Sequence, residues 1–317
     1  MNKMKWLFVS LLASVMLACG TTSTVPITGR KQRLLVSDEQ ILSLSNQQYR
    51  QYMAKAKVST NPTNTAMVKR VGQRLANAVT TYLSANGLGA EVKNYQWEFN
   101  LVQDNAANAF CMPGGKIVVY EGLLPYTKDE ASLAIVLGHE IAHAVAKHSA
   151  ERLSEQLQQQ YGANILGTVL GASGASSGIS QVAQMGFGLG SQLNTLRYSR
   201  KNESEADYMG LVFAAMAGYD PRVAISFWQR MASGKQNSQP EFLSSHPSDS
   251  KRIADIQREL PEALKYYKGG SVATTPSTTT TKSNYKSNNT GSISVNDLYK
   301  SCLLYTSPSP RDRQKSR

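Results

Sequence analysis

The chain has 317 residues, 41% of them hydrophobic and 18% charged, which is enough apolar material for a sizeable core and excludes a chain that is disordered throughout. Its net charge of +12 suggests an acidic partner until the charges are located: Lys3 and Lys5 sit at the N-terminus, and residues 268–317 carry eight Lys/Arg against Asp297 and Asp312. Setting those aside leaves about +4 spread over residues 20–267 without a run, so no nucleic-acid partner is expected.

Lys3 and Lys5 precede an apolar run from Trp6 to Ala18. The run is too short to span a bilayer, and a charged start followed by a short apolar stretch reads as a secretory signal over residues 1–18. "MLACG" (16–20) resembles a bacterial lipobox, with Met16 where leucine is usual. The resemblance implies that Cys19 is lipidated and becomes the mature N-terminus. Gly20 in place of aspartate implies the periplasmic side of a Gram-negative outer membrane. Residues 19–36 are then the lipidated cysteine and its tether. The compartment permits disulfides; Cys111 and Cys302 imply no framework, although a bridge between them stays open.

Residues 37–267 read as one domain. Helical patterning covers about Ser37–Ala56 and Thr65–Ser84, where Thr65, Val68, Val71, Leu75 and Val79 recur at helical spacing. "YQWEFNLVQD" (95–104) alternates like a strand, and "GGKIVVYEGLL" (114–124) reads as a second strand after a Pro-Gly-Gly turn. Thr127 and Glu130 form a capping-box pattern, so a helix is expected from near Asp129 to about Gln158. Residues 162–190, rich in Gly, Ala and Ser, read as closely packed small-residue helices or as a membrane-touching hairpin. Further helices are expected from Ser180 to Ala217, from Pro221 to Ala232 and from Ser248 to Leu260, the last with Asp255 and Arg258 on its polar side. Residues 268–317 have the composition of a disordered tail, and residues 302–317 look foreign to it.

"LGHEIAHAVAKH" (137–148) holds three of the four histidines. At about 100° per residue, His139 and His143 share one helical face and His148 falls about 160° away. This is the H-E-x-x-H arrangement: two imidazoles grip one Zn²⁺ and Glu140 reaches the water in the open position as general base. On that helix His148 cannot share the metal and reads as a structural or helix-terminal histidine. A third ligand must come from elsewhere. His246 is one candidate. "YSRKNESEADYMG" (198–210) offers others, because Arg200, Glu203 and Asp207 fall on one stripe from which Glu205 points away.

"HEIAH" (139–143), "SRKNESEAD" (199–207), "NAFCMPGGKIVVYEGLL" (108–124) and "SSHPSDSKR" (244–252) together resemble the peptidase family of HtpX and the CAAX prenyl endopeptidases. With the lipobox and "VPITGRKQ" (25–32), the chain is most similar to that family's periplasmic lipoprotein branch, of LoiP and BepA type. The resemblance implies a mostly helical α+β, zincin-like (gluzincin) metallopeptidase. It implies one Zn²⁺ per chain on His139, His143 and Glu203, with Asp207 behind a ligand histidine and Arg200 ordering the carboxylates. His246 then either stabilises the tetrahedral oxyanion or swings onto the zinc in a resting state. Strand 115–120 is expected to be an edge strand to which an extended substrate adds, using Gly115 and Ile117, with Asn108 and Ala109 at its approach. The expected activity is endoproteolysis of misfolded or misassembled envelope proteins. A chaperone-like assembly factor with a gated or structural zinc is the alternative.

Neither the spanning helices of the HtpX branch nor the helical repeats of a BepA-like C-terminus are expected from residues 1–317, so partners that dock through such repeats are not expected to carry over.

Overall fold

The computed structural model describes residues 21–165, 198–233, 242–246 and 250–269. Cys19, Cys302, the 268–317 tail beyond residue 269 and most of the Gly/Ala/Ser-rich 162–190 stretch lie outside them.

The described chain begins with an antiparallel hairpin, β1 (Thr21–Thr24) and β2 (Lys31–Leu34). Helix α1 (Asp38–Met53) follows, opened by a Ser37/Gln40 capping box. Helix α2 (Pro62–Ala85) is capped by Asn61 with Pro62 in its first turn. Its expected apolar stripe is the buried one: Val68, Val71, Leu75 and Val79 have no exposed surface. Each such side chain contributes roughly 1.5–3 kcal/mol by leaving water. After the short α3 (Gly89–Val92) come three strands, β3 (Glu98–Val102), β4 (Ala109–Met112) and β5 (Lys116–Tyr120).

The sheet order is β3-β5-β4, with β5 parallel to β3 and antiparallel to β4. This corrects two sequence expectations. Residues 109–112 form a strand of their own, and β5 is the central strand, not an edge. The physical reason is burial: Ile117, Val118 and Val119 face helices on both sides and are fully buried, and a continuous apolar run marks a strand covered on both faces. Ile117 and Val119 pack with α2 and the core, while Val118 and Tyr120 pack with Tyr49 and Tyr52 of α1. The β3 side is closed by residues 57–59, through Ser59 N–H to Leu101 O, Gln103 N–H to Lys57 O and a Val58–Val102 bridge. Among the described residues, β4 is the free edge.

A 3₁₀ turn (Glu121–Leu123) and α4 (Leu124–Thr127) lead to the histidine helix α5 (Glu130–Val145). Its cap is Asp129, which accepts from Ser132 N–H, and not the expected Thr127/Glu130 pair. The helix also stops earlier than expected. Lys147 adopts φ +55°, which ends the helix, and a separate helix α6 (His148–Ile165) starts at the next residue. Lys147 is held there by Asp38 at 2.8 Å and Glu91 at 2.9 Å.

Helix α7 (Arg200–Met216), capped by Ser199, crosses α5; α8 (Val223–Ser233), the short α9 (Phe242–Ser245) and α10 (Ser250–Leu264) complete the described core. Helix α10 runs on past Pro261 instead of ending at Leu260, and Arg258 pairs with Asp255 on its polar side as expected.

Candidate active site

Helices α5 and α7 meet backbone to backbone. A Cβ at Gly138 would lie 2.7 Å from Gly210 O, and one at Gly210 would lie 2.7 Å from His139 N. Only glycine permits this approach, and it places Glu203, two turns before Gly210, against the two histidines one turn apart on α5.

Four residues bring one ligand atom each to within 4.8 Å of the others: His139, His143, Glu203 and His246. His139 Nε2 is 3.0 Å from His143 Nε2 and 3.1 Å from His246 Nδ1. Glu203 lies 3.5 Å from each helix histidine and 3.0 Å from His246. All four are buried. Three imidazole nitrogens around one carboxylate are the donor types of a divalent transition-metal site. The second observation of fit is Glu140: its Oε2 accepts the Cys111 N–H at 3.2 Å, while its buried Oε1 has no hydrogen-bond partner and faces His246 Nε2 at 3.4 Å.

Burial opposes a charged His139, but Asp207 and Glu203 outweigh it and raise its pKa to about 9. His143 faces no such carboxylate at Nδ1, and burial drives its pKa well below the usual value. Burial also favours the protonated form of Glu203, yet His246, His139 and His143 overcome it and hold Glu203 well below the usual carboxylate range. For Glu140 burial wins over His246 and His139, so its pKa is raised. Cys111 is a free, buried thiol, pushed up by burial and by Glu140.

Asp207 stands behind His139, Oδ1 to Nδ1 at 2.9 Å, where it fixes the tautomer that leaves Nε2 free to ligate. The arginine that orders Asp207 is not Arg200, which is exposed and lines, with Glu203 and Asp207, a cavity of about 130 Å³. Arg252 of α10 does so, 2.6 Å from Asp207 Oδ1. It also donates to His246 O at 3.2 Å and lies 3.5 Å over the Trp228 ring. Arg252 lies within "SSHPSDSKR", where no local pattern assigns it this part; only the fold brings α10 against α7.

The break at Lys147 overturns the placing of His148 on the far face. His148 is fully buried and meets His143, Nδ1 to Nδ1, at 2.9 Å, while its Nε2 is 3.0 Å from Glu205 Oε2. Glu205, expected to point away, is held to a pKa of about 2: burial works against the carboxylate, but His148, Thr28 and Arg30 outweigh it. Tyr198 stacks on His143 at 4.0 Å and Phe242 on His246 at 4.5 Å, so both rings are walled by aromatics.

The expected substrate contacts divide. Ile117 has no exposed surface, and Gly115 is in the β4–β5 turn (φ +84°) against Trp97, so neither lies on the free edge. Asn108 gives its carbonyl to Tyr120 N–H and its side-chain oxygen to Ala109 N–H. Because residue 108 bonds toward β5, the alternation of an antiparallel ladder turns the main chain of Ala109 and Cys111 outward. The Cys111 N–H bonded to Glu140 shows that this edge runs directly above the base.

Residues 62–260 match Peptidase family M48. The chain is 35% identical to the mitochondrial metalloendopeptidase OMA1 of Schizosaccharomyces pombe over 269 residues, 83% of this chain and 74% of that protein. It is 32% identical to mitochondrial OMA1 of Homo sapiens (76% of this chain, 46% of that one) and 27% identical to the Beta-barrel assembly-enhancing protease of Escherichia coli (75% and 47%). The chain thus spans less than half the length of the human and E. coli relatives. These relatives support the wider family and not a placing beside HtpX or the prenyl endopeptidases. With its site residues assembled on that family's matched segment, the chain belongs to peptidase family M48 and is a metalloendopeptidase.

Proposed function

We propose that the chain is a zinc-dependent endopeptidase of gluzincin type that degrades misfolded or misassembled proteins of a bacterial envelope, tethered through Cys19 to the periplasmic side of the outer membrane. The observation that carries the chemistry is the convergence of His139, His143, Glu203 and His246 beside Glu140. The envelope reading is supported by the lipobox-like "MLACG" and by the E. coli relative's name; the OMA1 relatives carry mitochondrial names. No helix among the described residues is long and apolar enough to cross a membrane.

His139, His143 and Glu203 would hold the metal. Zinc held there would supply Lewis-acid chemistry, making water more acidic and polarising the scissile carbonyl. The extended substrate adds along the β4 edge at the main-chain carbonyls of Ala109 and Cys111, whose N–H groups are already held by Asn108 Oδ1 and Glu140 Oε2, which sets its own carbonyl over the base. Glu140 Oε1 takes a proton from the attacking water and returns it to the leaving amine nitrogen. Asp207, locked by Arg252, keeps His139 in its ligating tautomer. Chelation is expected to abolish hydrolysis of casein, and one equivalent of zinc to restore it; cleavage that persists in chelator would overturn the reading.

His246 fits a gate better than an oxyanion donor, because its Nδ1 lies among the ligand atoms, 3.1 Å from His139 Nε2 and 3.0 Å from Glu203. From there it would compete with water for the metal. His246→Ala is therefore expected to raise casein hydrolysis several-fold while zinc stays on the other three residues. Loss of activity with zinc retained would instead assign His246 to the transition state. An assembly factor with a structural zinc predicts no hydrolysis by either form.

A further inference from the structure

The two helix histidines are backed differently. His139 turns Nδ1 directly onto Asp207. His143 turns Nδ1 onto a second imidazole, His148, at 2.9 Å, and the carboxylate stands one ring further back, with His148 Nε2 3.0 Å from Glu205 Oε2. Glu205 is itself anchored from the N-terminal hairpin. It accepts from Thr28 Oγ1 at 2.6 Å and from Arg30 Nε at 2.7 Å. Arg30 also reaches Glu151, whose other oxygen accepts from Asn202 at 2.9 Å. Thr28 and Arg30 lie outside the family-matched residues 62–260.

Proton bookkeeping along this chain has one solution compatible with a metal. His143 must present a bare Nε2, so its proton sits on Nδ1 and is donated to His148 Nδ1. His148 Nδ1 must then be bare, so the His148 proton sits on Nε2 and is donated to Glu205. A neutral side chain in place of Glu205 would let His148 reverse, with Nδ1–H donating to His143 Nδ1 and the His143 proton moved to Nε2, where it blocks ligation. The carboxylate, pinned by Arg30 and Thr28, is what sets the direction.

We propose that His148, Glu205 and the hairpin residues Thr28 and Arg30 form a relay that positions His143 and fixes its ligating tautomer, so the N-terminal hairpin is part of the metal site. The proposal rests on His143 being a ligand. The competing account is a buried polar cluster that only fastens the hairpin to α6.

The experiment uses the full chain and reads three quantities: zinc affinity by competition with a chromophoric chelator, the visible spectrum of the cobalt-substituted protein, and the melting temperature of the metal-free form. His148→Phe is expected to weaken zinc binding roughly 10–100-fold and to change the cobalt spectrum. His148→Asn, which keeps an acceptor near the Nδ1 position, recovers part of the loss. Glu205→Gln and the Thr28→Ala/Arg30→Met pair weaken zinc in the same direction by smaller factors. A lowered metal-free melting temperature with wild-type zinc affinity and cobalt spectrum gives the cluster a fastening role only and overturns the relay. If His148→Phe fails to fold, Glu205→Gln, which preserves side-chain shape, decides on the same readouts. His143→Ala separates the two levels: wild-type zinc affinity there sinks the ligand assignment itself, whereas lost zinc there with unaffected His148 and Glu205 variants sinks the relay alone.

Discussion

Glu140→Gln is expected to keep zinc at wild-type affinity and to cut casein hydrolysis about 10³-fold, in the range that a general base contributes. The substitution is nearly isosteric at a site with 2% exposure. The amide oxygen can still accept the Cys111 N–H that fixes the carboxylate now, so the strand, the helix and the ligand set stay in place. What is lost is the capacity to accept a proton. Glu140 Oε1 is buried without a hydrogen-bond partner, directed at the ligand cluster from 3.4 Å off His246, and a buried acceptor left open this way is costly unless a reacting molecule fills it. Burial raises the Glu140 pKa, against the pull of His246 and His139. The raised pKa makes the carboxylate a stronger base toward water, and its acid form remains able to protonate the departing amine. The acid limb of the kcat/KM profile therefore lies above the usual glutamate range and vanishes in the variant. Initial rates with metal analysis on the same preparation decide the matter; hydrolysis within tenfold of wild type would sink the mechanism.

How much of this was legible in the sequence depends on how local each signal is. His139, Glu140 and His143 lie within five residues on one uninterrupted helix, so periodicity alone sets their faces. Glu203 and Asp207 were legible as a stripe on α7 from helical spacing alone, although the described helix starts at a Ser199 cap that the expected Ser180–Ala217 helix did not foresee. His148 was misplaced because projecting it onto one helix assumes that the helix continues. The chain breaks at Lys147 in a left-handed conformation that glycine usually announces, and here no glycine does. Its partners Asp38 and Glu91 are distant in sequence. The central place of β5 was readable in the run Ile117–Val119, which lacks the alternation of a half-exposed edge. The hold of Arg252 on Asp207 and of Arg30 on Glu205 left no trace in any local pattern. Both are side-chain contacts across separate elements, fixed by how α10 and the hairpin dock.

Gly210→Ala is expected to lower the melting temperature by several degrees and to cost most of the zinc affinity and the activity together. The methyl group would meet His139 N at 2.7 Å and His139 Cα at 2.9 Å, inside the contact distance of real side chains. Both are main-chain atoms of a buried helix, so no rotamer change relieves the overlap. The helices must part, at a cost of about 1–3 kcal/mol typical of overpacking. Simple loss of packing would spare the chemistry, but this crossing is also the joint that sets Glu203 3.5 Å from His139 and His143 and Asp207 2.9 Å from His139. A shift of even half an ångström between α5 and α7 moves the carboxylates relative to both imidazoles at once, and ligand geometry tolerates little of that. Gly138→Ala, which would meet Gly210 O at 2.7 Å, should repeat the effect from the other helix. Gly89→Ala, where a Cβ meets nothing, should leave zinc binding and activity intact. If Gly210→Ala destabilises the protein while zinc affinity stays at the wild-type value, the crossing supports the fold without setting the metal site, and the two helices need not be held this close for catalysis.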